Sequence, residues 1–127
     1  MNNENLKLFQ QIAHSSEVIA EQVMEVNKQN KDDKAYLTAM NMRDTFSTLY
    51  DKLRNDNFNN SDLDLKDIAM LHVGAVVLIE QLEKQANEIE KSLHNYKTVV
   101  LPKFHEIMIR VQENPKEDFS KILNEKF

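Results

Sequence analysis

Cysteine is absent from the sequence, which removes disulfide scaffolding, zinc–thiolate sites and thiol nucleophiles together and fits an intracellular chain. Glycine occurs once, at Gly74, and proline twice, at Pro102 and Pro115. So few turn formers argue against a sheet with several hairpins and favour an all-α fold. A lone glycine also excludes a glycine-rich phosphate loop. Long apolar runs are missing too. The most apolar window, Ile68 to Ile79, is interrupted by His72 and Gly74 and falls short of the roughly 18 residues that span a bilayer. It reads as a core segment, with no membrane as partner. The start, Met1 to Asn5, has no basic segment followed by an apolar one, so no signal peptide is expected and the expected location is cytoplasmic.

An excess of one charge is lacking as well. The net charge of −5 comes from interspersed signs, 16 basic against 21 acidic residues. This disfavours a protein that binds nucleic acid directly by neutralising phosphates, and it is too mild for a mimic of DNA. Proteins are the expected partners. The 127 residues suit a single helical domain over residues 1–127, large enough to bury a core without metal, cofactor or disulfide.

What is present is helical periodicity. Helix 1 reads from about Asn5 to Lys28, with Leu6, Phe9, Ile12, Ala13, Ile19, Ala20, Val23 and Val26 on one face. Asp32 or Asp33 can cap helix 2, which runs to about Arg54 on Ala39, Met42, Phe46, Leu49 and Leu53. A short linker makes the two an antiparallel hairpin. Asn55 to Asn60 reads as a loop. Ser61 and Asp64 have capping-box spacing, placing the start of helix 3 at Asp62. Asn114, Pro115 and Glu117 mark the start of a short final helix carrying Phe119, Ile122 and Leu123.

Helix 3 carries the most informative pattern. From Leu65 to Val111 one stripe recurs in steps of three and four: Ile68, His72, Ala75, Ile79, Leu82, Ala86, Ile89, Leu93, Tyr96, Val100, Phe104, Ile107. Unbroken, it would be about 47 residues and roughly 70 Å long, against a diameter of about 36 Å for a compact chain of this size. Pro102 is the one interruption, so helix 3 is read as very long and either kinked or broken there. Helices 1 and 2 reach only about 36 Å each. The outer seam, Ile89, Leu93, Tyr96, Val100, Phe104, Ile107 and Val111, is therefore expected to need a second copy or another protein, and an antiparallel homodimer would bury it in one two-fold contact.

Sites of chemistry are weakly supported. Carboxylate-bridged metal centres in bundles use a Glu three residues before a His; the residues so placed before His14, His72, His94 and His105 are Gln11, Ala69, Lys91 and Pro102. His94 and His105 would stand about 16 Å apart along one helix, too far to share a metal. Asn60, Asp62 and Asp64 open like a calcium loop, but Leu65 and Leu71 occupy the positions of its Gly and Glu, and capping explains the acids more simply. His14 adjoins Ser15 and Ser16 without the remainder of a nucleophilic site. No catalysis, metal or cofactor is expected. His72 reads as a core histidine, with a buried pH switch as the sharper alternative. Met40, Met42 and Met70 read as gap-filling core or, alternatively, as an adaptable binding surface. Glu17, Glu21 and Glu25 form an acidic row, either a docking face for a basic partner or a solvated row paired across the hairpin with Lys34, Lys52 or Arg54.

The expected protein is thus an all-α antiparallel bundle of three long helices and a short C-terminal one, homodimeric, acting by protein–protein interaction or regulation. A small-ligand sensor built on His72 and the Met-rich interior is the alternative. In composition the chain resembles small accessory proteins of phages and mobile elements, being acidic, helical and rich in Asn and Lys, and that resemblance implies a regulator or an immunity- or antitoxin-type bundle.

Overall fold

The computed structural model describes residues 1–84 and 90–127, all helix, turn and loop with no strand among the described residues. Helix α1 (Asn3–Gln29) starts at Asn2, whose side chain accepts from the Asn5 amide at 2.8 Å. Helix α2 (Asp33–Arg54) starts at Asp32, which accepts from the Ala35 amide at 3.1 Å. Each cap satisfies one of the free amides at a helix N-terminus. The tight turn between them bends at Lys31, whose φ of 58° lies in the left-handed region. At the base of this antiparallel hairpin, Gln10 Nε2 donates to the Leu53 carbonyl at 3.0 Å.

A 3₁₀ turn (Asn60–Asp62) follows, and α3 (Leu65–Lys84) begins three residues later than the Ser61–Asp64 spacing suggests. The Asp62 carboxylate is already engaged by the Asn59 amide at 2.8 Å, and Leu63 is buried. The capping box falls instead on Asp64 and Asp67. Asp64 Oδ1 accepts from the Asp67 amide at 2.8 Å, and Asp67 Oδ2 accepts from the Asp64 amide at 3.1 Å. The first of these bonds holds the Asp64 carboxyl below its ordinary range. Asp67 also accepts from Lys52 Nζ at 2.7 Å, which raises the lysine pKa and ties the end of α2 to the start of α3.

A single long third helix is not what the chain forms. Helix α3 packs against α5 (Leu101–Glu113) and against the π turn (Tyr96–Val100) that precedes it after α4 (Glu90–Asn95). Glu83 pairs with Lys97 at 2.5 Å, and His72 feels the charge of His105. Low numbers on α3 meet high numbers on α5, so the two halves of the stripe lie side by side in opposite directions. Pro102 neither breaks the helix nor starts a separate one. The backbone stays helical through it, because the Leu101 amide bonds back to the Tyr96 carbonyl and the π turn widens the coil where the proline ring would press on the preceding turn.

The final helix, α6 (Ser120–Asn124), starts later than Pro115. Asn114 closes a separate turn, its carbonyl accepting from the Glu117 amide at 2.9 Å, while Glu117 pairs with Arg110. Asp118 Oδ1 accepts from the Ser120 amide at 2.9 Å, and the Ser120 hydroxyl first and this amide second lower the Asp118 pKa. Ile122, Leu123 and Phe127 join Phe9, Ile12, Leu53, Ile68, Leu71, Val100 and Phe104 in one core. Its aromatic centre is a triangle of Phe9, Phe104 and Phe127 with ring centroids 5.1–5.5 Å apart. No helix among the described residues is long and apolar enough to cross a membrane.

Candidate interaction surfaces

The seam expected to face a partner is mostly interior. Tyr96, Val100, Phe104 and Ile107 are buried, and Leu93 and Val111 are half-buried against the same core. Burial holds the Tyr96 hydroxyl above its usual pKa. Ile89 lies outside the described residues. The seam finds its cover in α3 and α1, so the reason for assigning it to a dimer contact is gone.

The overhang belongs to the hairpin instead. The sequence pattern places Val23 and Val26 on the buried face of α1, yet they are 43% and 55% exposed, and Leu37 on α2 is 52% exposed. Val23, unlike Val26 and Leu37, lines a groove of about 430 Å³ together with Asn27, Asp32, Lys34, Ala35, Thr38, Ala39 and Met42, all from α1, α2 and their turn. Val23 lies about eleven residues, three turns, beyond Ile12, and Thr38 the same distance before Leu49. Ile12 packs at Gly74 of α3, and Leu49 lines the cleft between α2 and α3. The groove therefore opens on the side of the hairpin that α3 covers lower down.

The acidic row lies elsewhere on α1. Glu17 sits 3.8 Å from the His14 ring, which packs at a tilt against Tyr50, and Glu25 accepts weakly from Gln29. Glu21 and Glu25 are exposed. Pairing across the hairpin does not form: Lys52 pairs with Asp67, Arg54 pairs with Asp51 and covers the Tyr50 ring, and among the described residues Lys34 makes no ion pair.

A second cleft, about 370 Å³, lies between α2 and the start of α3. Its Lys52, Asp64 and Asp67 are spent on one another and on the helix cap. Asp62 and Asp64 act as caps, Asp62 on Asn59 and Asp64 on Asp67 rather than on Ser61. Among the described residues no three His, Asp or Glu side chains converge on a possible metal position. His72 is partly buried, and its pKa is lowered first by burial and then by His105. Met70 packs against the core, Met40 is half-buried and Met42 lines the hairpin groove. No protein-family model, curated protein or solved structure matches the chain.

Proposed function

We propose that this is a non-catalytic, regulatory protein that works by binding another protein chain through the far half of the α1–α2 hairpin. One observation carries the reading. Val23 stands exposed at a groove lined also by Ala39 and Met42, on a face that is core elsewhere in the same hairpin. Apolar surface of this kind is stabilised by cover, at about 25 cal/mol per Å² removed from water, and contiguous patches of it mark contact sites. An accessory role of the immunity or antitoxin type falls within this reading, since it needs only a surface that takes another chain.

A photo-crosslinking amino acid in place of Val23, which lines the groove, with an exposed control position at Asp51, tests the reading in a lysate of the source cells. Crosslinks from position 23 to a defined protein chain, with none from position 51, are the expected result. Crosslinks from neither position, or equally from both, would overturn it.

A further inference from the structure

We propose that residues Ser120–Phe127 form a detachable strap over an apolar site between the first turns of α1 and of α5. When the strap lifts, the site takes a separate peptide of the same chemistry: two adjacent aliphatic residues and, four positions after the second, an aromatic ring. This site is distinct from the hairpin groove and does not depend on it.

The strap is held as a bound peptide is held. Its main chain is received by side chains: Asn5 Nδ2 donates to the Leu123 and Glu125 carbonyls, Asn5 Oδ1 accepts from the Phe127 amide, and Asn2 Nδ2 donates to the Asn124 carbonyl at 3.2 Å. These bonds read a backbone and not a sequence. Selectivity comes from the anchors. Ile122 and Leu123 are buried, and the Phe127 ring lies against Phe9 and Phe104. Lys103 Nζ stands 5.1 Å from the centre of that ring and also pairs with Glu125 at 3.1 Å. Main-chain hydrogen bonds that give affinity, with pockets for particular side chains that give specificity, are the common form of peptide recognition.

The strap is also separable from what it covers. Residues 114–119, which link it to α5, contain no helix. Helix α6 is little more than one turn, too short to persist alone, so loss of the anchors unravels the segment as one unit. Ser120, Lys121, Asn124, Glu125 and Lys126 are not buried, and three anchors must offset the ordering of the whole segment. That balance places its opening at the low end of the range found across a folded chain. The remaining helices keep their own contacts, α1 on α2 and α3, and α3 on α5. Phe9 meets Phe104 directly, with ring centroids 5.3 Å apart.

Amide exchange of the full chain in low urea tests the first half of the proposal. The Leu123, Glu125 and Phe127 amides are expected to exchange about tenfold or more faster than those of Leu71 and Ala75, with a weaker dependence on urea because less surface is exposed. Exchange of both sets through one opening, with one urea dependence, overturns it. A labelled synthetic peptide spanning Asp118–Phe127 tests the second half by fluorescence anisotropy. It should bind wild type weakly, because it competes with a tethered copy at an effective concentration of order millimolar. Phe127→Ala weakens the tethered copy and leaves Asn5, Phe9, Phe104 and Lys103 in place, so it should bind the peptide about tenfold or more tightly than wild type does. A peptide with Ala in place of its Phe should lose that gain. Equal binding by Phe127→Ala and wild type overturns the peptide site. Loss of helix in Phe127→Ala by circular dichroism overturns the proposal as well, since the other helices are expected to stand without the strap.

Discussion

The Asn5 side chain, in the first turn of α1, holds the far end of the chain from both sides. Its Nδ2 donates to the Leu123 carbonyl at 2.8 Å and to the Glu125 carbonyl at 2.5 Å, while its Oδ1 accepts from the Phe127 amide at 3.2 Å. Asn5 is itself buried. One amide thus satisfies three main-chain groups that no helix or strand serves, and it seats the Phe127 ring against Phe9 and Phe104.

Asn5→Ala should therefore cost about 2–3 kcal/mol, since buried donors and acceptors lose their partner without access to water. Asn5→Asp should be at least as damaging, because it keeps the acceptor for Phe127 but turns a negative oxygen toward two carbonyls. Urea unfolding measures the cost. Amide exchange should show the loss of protection concentrated in Leu123 to Phe127, and a uniform loss across α1 would contradict the role assigned to Asn5.

The first two helices were legible in the sequence to within a residue or two, whereas the starts of α3 and α6 fall later than their capping signals suggest. Asp32 caps α2, the apolar repeat ends α2 at Arg54, and the asparagine-rich stretch is a loop. Two features were not legible, for one reason. Periodicity reports that a face is buried but not against what. The stripe from Leu65 to Val111 kept its phase as if it were one helix, yet its two halves bury each other. Val23 and Val26 kept the phase of α1 as if they were core, yet α3 leaves the hairpin before reaching them. The mismatch of lengths was real, and it sits on the hairpin rather than on helix 3.

Gly74 lies where α3 crosses the hairpin, and a Cβ there would come within 2.7 Å of Ser16 Oγ, 2.9 Å of Ile12 Cγ2 and 3.1 Å of Phe46 Cε1. Gly74→Ala gains up to about 1 kcal/mol of helix propensity and loses about 1–3 kcal/mol to overpacking, so net destabilisation is expected. Ser16 Oγ is buried with no hydrogen-bond partner. Ser16→Ala should thus be neutral or stabilising alone, and in combination should relieve much of the Gly74→Ala cost. A double-mutant cycle by chemical denaturation would show the coupling; strict additivity would mean that Ile12 and Phe46 set the cost.

His72 makes stability depend on pH in a definite direction. Burial first and His105 second hold its imidazole below the ordinary value, so the unfolded chain takes up the proton, near pH 6.5 or so, before the folded one does. The unfolded state then binds more protons across that interval, and stability rises with pH there. The contribution is complete above the unfolded pKa and is lost as pH falls from it toward the folded pKa. Urea midpoints compared at about pH 7.5 and about pH 5.5 should show this loss. His72→Gln should flatten the dependence and His105→Gln should reduce it. An unchanged slope in His72→Gln would assign the effect to another group.

Phe104 separates a seam buried within one chain from a seam buried between two. It is fully buried and packs on Phe9 and Phe127, so Phe104→Ala should cost about 3–5 kcal/mol, the range for emptying an aromatic site in a core. Because its neighbours are intramolecular, the difference in melting temperature from wild type should not vary with protein concentration, and the sedimenting mass should match that of wild type. A contact between copies behaves otherwise: the variant would lose mass, and its deficit would shrink as concentration rises. Ile107→Val, costing about 0.5–1.5 kcal/mol, puts the same question if Phe104→Ala does not fold. A drop in mass for either folded variant would return the seam to the surface and remove the case for the hairpin.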